Sequence, residues 1–224
     1  MVESFSFINF VPVIIHYHTN NSAHLLMDNL ENWSENIIIV DADYIDKVAF
    51  DLIVNFERMI GRHIPQADLA HWIDCIALDG GLKEKDTNGS QVIFIHGNGT
   101  EQLKNFSPSH FSDDLNGKAF KDNLGEFILS SYAVEKVVGK EDFILDIVKT
   151  AANHKDVRRV MVIADCDDGT MPELLRQALR DADDEKRITV FAMQPVAGGN
   201  FRQEILGYSL MSALGIRADE IKEC

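Results

Sequence analysis

The sequence predicts an α/β fold, a Rossmann-like open sheet that is mostly parallel, with helices on both faces. Short β-branched runs at 37–40 and 160–163 are typical of strands buried on both faces of a parallel sheet. Segments with apolar residues at helical spacing alternate with such runs, as in successive βαβ units. The hydrophobic content of 46% over 224 residues is sufficient for a sizeable core.

The first half of the pattern is strand, helix, helix, strand. After the strand at 37–40, residues 46–63 carry a wide apolar face with helical spacing, which predicts a helix covered on two sides. Pro65 opens a second predicted helix that ends at Asp79-Gly80-Gly81. The run 91–96 is the second predicted strand.

The second half opens with residues 97–125, which are rich in Gly, Asn, Ser and Asp and are predicted to be an irregular surface excursion. Residues 126–137 are compatible with either a strand or a loop. Thr170 and Glu173 match a capping box. The remaining predicted elements are a helix at 141–152, a strand at 160–163, a helix through 179, a strand at 187–193 and a helix at 201–214.

Residues 1–35 are interpreted as an N-terminal extension of a single domain at 36–224, because no linker divides the remainder. Two interpretations of the extension are open: an additional strand, or a start assigned too early, with Met27 as the true start. His16 and His18 alternate as metal ligands on one strand face would, but such a pair without partners is usually incidental.

Charge and cysteine usage limit the function classes. The formal net charge of −15 repels phosphate backbones, so RNA binding is expected to be weak and local. The three cysteines are scattered without C-x-x-C spacing, which predicts neither a disulfide framework nor a zinc site and favours a cytoplasmic location. No apolar run of about 18 residues is present that would span a bilayer, so no membrane association is expected.

Two acidic clusters follow predicted strands. Ile37-Ile38-Ile39-Val40 leads into Asp41-Ala42-Asp43, and Val160-Met161-Val162-Ile163 leads into Asp165-Cys166-Asp167-Asp168. Ligands of open α/β sheets bind at the carboxyl ends of the strands, so we expect these carboxylates to share one pocket. Like charges held together destabilise a fold unless a cation or protons compensate them. Oxygen ligands suit Mg²⁺ or Mn²⁺, so the clusters predict a metal site.

The order of these motifs resembles the NYN branch of the PIN-like nucleases over roughly residues 36–195. In that family the first strand ends in Asp-Ala-Asp-Asn or a similar sequence, and a later strand ends in Ser-Gly-Asp-Ser-Asp-Phe. Asp41-Ala42-Asp43 and Ala164-Asp165-Cys166-Asp167 are similar to these motifs. Lys140-Glu141-Asp142 resembles the Lys-Gly-Val-Asp-like start of the intervening helix.

The resemblance implies a Mg²⁺- or Mn²⁺-dependent ribonuclease. Asp41, Asp142 and Asp165 would hold the metal, which lowers the pKa of a bound water and offsets charge on the scissile phosphate. Asp43 and Asp167 would assist by orienting metal-bound water. The implied catalytic residues are therefore Asp41, Asp43, Asp165 and Asp167.

Three departures from the family pattern keep a second hypothesis open. Tyr44 replaces the asparagine, Ile163-Ala164 replaces the hydroxyl residue and glycine, and Asp168 replaces the phenylalanine. The second hypothesis is a catalytically degenerate PIN-like domain that acts in protein interaction or self-association, through the predicted helix at 46–63 and the C-terminal helix. In the simplest alternative the aspartates serve as caps and turn residues, with Asp43 capping a helix that begins at Asp46.

Two further resemblances concern the first motif. Asp41-Ala42-Asp43 is similar to the Asp-x-Asp signature of haloacid dehalogenase-type phosphatases, which implies Asp41 as nucleophile and Asp43 as acid/base. The helix that follows at once, and His96 where that family has Ser or Thr, weigh against this function. The segment 41–60 and Gly207-Tyr208-Ser209-Leu210 also resemble an uncharacterised family of Bacteroidetes proteins, which implies no function.

Overall fold

The structure is a computed structural model that describes residues 8–9, 33–84, 89–135, 139–167 and 169–221. The histidine pair at 16 and 18, Met27 and Asp168 lie outside the described residues.

The described strands and helices follow the α/β order along the chain. The strands are β1 (Ile8–Asn9), β2 (Asn36–Asp41), β3 (Ala67–Asp68), β4 (Ser90–Gly97), β5 (Phe106–Ser107), β6 (Lys118–Asp122), β7 (Gly125–Val134), β8 (Arg159–Ile163), β9 (Arg187–Ala192) and β10 (Arg202–Ile205). The helices are α1 (Ala42–Ile60), α2 (Leu69–Asp79), α3 (Lys140–Asn153), α4 (Met171–Leu179) and α5 (Leu206–Ala213), with a π-helical turn at Phe111–Leu115.

The main sheet is mostly parallel, as predicted. Among the described residues its strand order is β1-β6-β7-β4-β2-β8-β9-β10, and β3 pairs separately with β5. The neighbours from β7 through β10 in this order are all parallel, whereas β6 is antiparallel to β7 and β1 is antiparallel to β6. β2 is therefore a central strand between β4 and β8.

The main sheet, with β2 at its centre, divides the core into two layers. Helices lie on both faces of the sheet, as predicted. Successive side chains of a strand point to opposite faces. Ile38 and Val40 join the cluster formed with α1, α2 and α5, whereas Ile37 and Ile39 join the cluster formed with α3 and α4. All four side chains are completely buried, which explains the continuous apolar run in the sequence.

Each core layer contains one tryptophan. Trp72 on α2 is fully buried and packs edge-on against Phe106, with ring centroids 5.7 Å apart. Trp33, just before β2, lies in the other layer and stacks on His154 at a centroid distance of 5.7 Å. No helix among the described residues is both long and apolar enough to cross a membrane.

Several predicted boundaries are wrong. α1 begins at Ala42 and not at Asp46, because Asp41 supplies its N-cap. α2 begins at Leu69 after an Asp68 cap, several residues beyond Pro65. The capping box at Thr170 does not form, since the Thr170 side chain makes no capping hydrogen bond.

Two segments contain more strand than the sequence predicts. The excursion at 97–125 includes β5, the π-helical turn and β6, and the ambiguous segment that follows forms the long strand β7. The predicted closing helix at 201–214 is instead β10 followed directly by α5. β5 and β7 pair with β3 and β4, which are distant in sequence, whereas β6 forms a hairpin with β7 and β10 pairs with the preceding strand β9.

Because the side chains of the central strand β2 are buried in both core layers, we expect their truncation to lower the stability of the fold strongly. Ile39→Ala is expected to lower the free energy of unfolding by about 2–5 kcal/mol, because it leaves a cavity between β2 and the layer of α3 and α4. Leu78→Ala is the control, since the Leu78 side chain is 52% exposed, and a change within about 0.5 kcal/mol is expected there. Urea unfolding measures both, and equal losses would contradict a core centred on β2.

Candidate functional site

The two acidic clusters lie at the same edge of the sheet. β2 and β8 are parallel neighbours, and the register pairs Val40 with Ile163 just before each cluster. On the other side of β2, Asp41 pairs with Ile95 of β4, so that His96 also lies at this edge. The carboxyl ends of three adjacent strands therefore delimit the candidate site.

Lys140 holds the first acidic cluster. It is the first residue of α3, and its Nζ donates to Asp41 Oδ1 at 2.7 Å and to Asp43 Oδ2 at 2.9 Å. The Asp41 side chain is 4% exposed, whereas that of Lys140 is 26% exposed. A single protein cation therefore bridges the two carboxylates.

The bridge affects the pKa values of Asp41, Asp43 and Lys140. Burial raises the pKa of Asp41 above its usual range, and this effect exceeds the stabilisation of the carboxylate by Lys140. Burial opposes the ionisation of Asp43 as well, but the hydrogen bond and charge of Lys140 prevail and lower its pKa. Burial also disfavours the Lys140 cation, yet the two aspartates raise its pKa. Lys140 is therefore charged at neutral pH.

Both aspartates also bind backbone amides. Asp41 is the N-cap of α1, and its Oδ1 accepts the Tyr44 N–H at 3.1 Å. The alternative in which Asp43 caps this helix is therefore wrong. Asp43 Oδ2 instead accepts the Gly97 N–H at 2.9 Å, which ties α1 to the end of β4.

Tyr44 connects the first acidic cluster to the second. Its hydroxyl donates to Asp167 Oδ2 at 2.7 Å, and the Asp167 N–H donates to Asp165 Oδ1 at 3.3 Å. Burial, the hydrogen bond to Asp167 and the nearby carboxylates raise the pKa of Tyr44, so that the phenol stays protonated. Burial and the flanking aspartates likewise raise the pKa of Cys166 to about 12, so this thiol is not a nucleophile at neutral pH.

His96 forms a stacked aromatic pair beside the first acidic cluster. Its ring stacks on Phe111 with centroids 3.9 Å apart and an interplanar angle of 2°, and it is 6% exposed. Burial lowers the pKa of His96 more than the charge of Asp43 raises it. The imidazole is therefore neutral at physiological pH.

The structure brings together only part of the set implied for the metal. Asp41 and Asp43 share Lys140, whereas Asp165 and Asp167 lie beside Tyr44 and Asp142 is exposed on α3. Within the described ranges, no group of three or more His, Cys, Asp or Glu side chains is placed to hold a metal ion. Because an ammonium already contacts the oxygens that Mg²⁺ or Mn²⁺ would need, the residues as arranged do not fit that metal.

The role of Lys140 is not evident from the sequence, in which this residue is only part of a family-like motif. A lysine at the start of a helix opposes the helix macrodipole, which is unfavourable unless a carboxylate partner compensates. That anomaly is the signal in the sequence that could have indicated an ion pair for Lys140. The partner could not be inferred, because Asp41 lies 99 residues away in sequence.

The comparisons with known proteins supply a family but no activity. One family model matches residues 30–221, and its description is a family of unknown function (DUF6621). No curated protein and no solved structure matches the chain. The likeness to PIN-like nucleases therefore stays a prediction from the motifs.

The bridging lysine should be important for stability in a pH-dependent way. Lys140→Met is expected to lower the free energy of unfolding at neutral pH by about 1–3 kcal/mol, less than for a fully buried pair, because Asp41 loses its counter-ion. Without the cation the folded-state pKa values of both aspartates rise. The deficit should therefore shrink as the pH falls towards about 4 and the carboxylates become protonated.

Urea unfolding at neutral and acidic pH measures this effect. Lys149→Met is the matched control, since Lys149 is an exposed residue of the same helix, and it should change stability little at either pH. Equal behaviour of the two variants would mean that the bridge contributes nothing to the fold.

Proposed function

We propose a non-enzymatic function for this chain, which belongs to the family of unknown function DUF6621. In this proposal it is a degenerate PIN-like domain that acts in protein interaction or self-association. The observation that carries the proposal is the bridge from Lys140 to Asp41 and Asp43, with contacts of 2.7 Å and 2.9 Å.

The bridge supports this proposal because the Lys140 ammonium already supplies the positive charge that a bound metal ion would supply. A divalent ion and an ammonium compete for the same carboxylate oxygens, and the lysine is covalently fixed to α3. Displacing the lysine would leave a partly buried ammonium without partners, at a cost of about 3 kcal/mol. The net charge of −15 adds repulsion towards any RNA substrate.

A surface suited to interaction lies on the C-terminal half of α1. The buried residues of this helix end at Ala49. Beyond that point Phe50, Val54 and Met59 are 53%, 37% and 53% exposed. Phe50 and Val54 are four residues apart and are therefore neighbours on the helix surface, and adjacent exposed apolar side chains are typical of interaction sites.

The end of α1 is held in place, so this surface is presented in a fixed position. Gly61 ends the helix in the left-handed conformation, with φ of 70°. Arg62 makes a two-pronged ion pair with Glu220, with contacts of 2.7 Å and 2.9 Å. Glu57 accepts the Ile64 N–H at 2.8 Å, which anchors the chain beyond the helix.

A metal-dependent ribonuclease is the second candidate. It is favoured by the adjacency of β2 and β8, which places both acidic clusters at one sheet edge. For this activity the Lys140 side chain would have to leave Asp41 and Asp43. A phosphatase that uses Asp41 as nucleophile is weaker still, since that side chain is 4% exposed and its Oδ1 accepts from both Lys140 and Tyr44.

Divalent cations separate these candidates. Millimolar Mg²⁺ or Mn²⁺ should leave the melting temperature of the unaltered protein nearly unchanged, because Lys140 occupies the carboxylates. In Lys140→Met the same ions should raise it, since a ligand that binds only the folded state stabilises by RT ln(1 + [L]/Kd). Differential scanning calorimetry measures the shifts, with Lys149→Met as the control.

RNA cleavage assays give the opposing outcome. The unaltered protein should not cleave single-stranded RNA at low ionic strength with either ion. A metal-induced rise in melting temperature that Asp165→Asn abolishes, together with cleavage that disappears in both Asp41→Asn and Asp165→Asn, would favour the ribonuclease. Cleavage that survives in both variants would indicate a contaminant.

Self-association through α1 predicts a concentration-dependent mass. Light scattering during size exclusion should give a mass well above the 25.2 kDa of one chain at high concentration. Phe50→Ser combined with Val54→Ser should return it to one chain, because the exposed apolar surface is removed. Leu78→Ser, at a residue equally exposed on α2, is the control, and loss of association in that variant alone would place the contact elsewhere.

A further inference from the structure

A second pair of carboxyl groups meets far from the candidate site in the fold. Asp74 lies in the middle of α2, and Asp122 is the last residue of β6, at the turn into β7. The two side chains are half-buried, and their carboxyl groups lie within hydrogen-bonding reach of each other. One oxygen of each, Asp74 Oδ1 and Asp122 Oδ2, is buried without a protein donor.

This contact requires a proton. Ionised carboxylates only accept hydrogen bonds, so two of them bond directly only when one carries a hydrogen. The second oxygen of Asp122, Oδ1, already accepts the Leu124 N–H at 2.7 Å, and this fixes the carboxyl in the turn. The oxygens that lack a donor are therefore satisfied if a single proton is held between the side chains.

The surrounding charges favour the same state. Asp68, at the N-cap of α2, contributes a further negative charge, and its own carboxylate accepts the His71 N–H. Glu84, just after α2, accepts from Asn123 of the same turn at 3.1 Å. Lys121 is exposed on the strand beside Asp122. Burial, then the hydrogen bond and charge of Asp122, raise the pKa of Asp74 to about 8.

We infer that Asp74 and Asp122 share one proton at neutral pH and form a pH-sensitive latch between α2 and the β6–β7 turn. At neutral and acidic pH the latch is closed by the shared proton. In alkaline solution Asp74 loses the proton, and the two half-buried carboxylates repel each other across the contact. The latch is independent of the function proposed for the chain.

The latch has a defined pH dependence. Because the pKa of Asp74 is raised in the folded chain, the folded state holds a proton that the unfolded state releases. Its contribution to stability is complete below about pH 4, declines as the pH rises and is lost above about pH 8. Within that window the unfolding equilibrium constant should increase by up to about tenfold per pH unit.

Asp74→Asn tests the latch, because the amide donates permanently to Asp122 and does not titrate. Urea unfolding from about pH 5 to 9 should show the unaltered protein losing stability relative to Asp74→Asn, with the gap constant above about pH 8. Asp122→Asn should weaken the same dependence from the other side, since its amide can donate to Asp74 while the burial of Asp74 remains. This second variant keeps the test decisive if one substitution prevents folding. Asp51→Asn, at an exposed residue of α1, should keep the dependence of the unaltered protein.

A direct readout accompanies the unfolding data. The infrared carbonyl stretch of a protonated carboxyl group should be present at neutral pH in the unaltered protein and absent from Asp74→Asn. Hydrogen exchange at about pH 9 should be faster in the β6–β7 turn of the unaltered protein than in Asp74→Asn. Parallel pH dependence in the unaltered protein and both Asn variants, or no protonated-carboxyl band at neutral pH, would overturn the inference.

Discussion

A carboxylate buried at the end of the central strand is the constraint on which the arrangement of this sheet edge depends. Asp41 is 3% exposed, and an uncompensated charge there would cost several kcal/mol (~3–5). Its compensation comes from both sides of the sheet: the Tyr44 N–H belongs to α1, and the Lys140 ammonium belongs to α3. Because these helices cover opposite faces of β2, the ion pair ties the two core layers together around the edge. The position at which α3 begins is thereby fixed relative to the central strand.

The strongly acidic chain compensates its aspartates in three chemically different ways. Asp41 and Asp43 share a lysine, Asp167 binds the hydroxyl of Tyr44, and Asp74 contacts a second carboxyl group that must hold a proton. A cation, a neutral donor and a proton each reduce like-charge repulsion, but they respond differently to solution conditions. Only the proton is lost at mildly alkaline pH. The aspartates of the sequence are therefore compensated at several separate places, each by its own partner.

The sequence is sufficient to predict the structure where burial alone decides it. The strands β2, β4, β8 and β9 are buried on both faces, and their continuous apolar runs made them recognisable. The parallel sheet and the placement of both acidic clusters at strand ends follow from the same runs. The helix α3 was recognised because its apolar residues recur on one face.

The sequence pattern is uninformative where contacts outside the local segment decide the structure. β6, β7 and β10 lie towards the sheet edges and most of their residues are partly or fully exposed, so their sequences resemble loops or a helix start. The start of α1 was misplaced because the same aspartate ends β2 and caps the helix, leaving no loop between them. The Lys140 bridge spans 99 residues, and no local pattern encodes such a contact.

The position of the two tryptophans has an experimental consequence. The chain contains two in total, and Trp33 and Trp72 lie in opposite core layers. Each layer therefore carries its own intrinsic fluorophore, one stacked on an imidazole and the other packed against a phenyl ring. Replacing either tryptophan by phenylalanine leaves a chain whose emission reports on a single face of the sheet. The chain can thus reveal optically, without any added label, whether its two layers come apart together or one after the other.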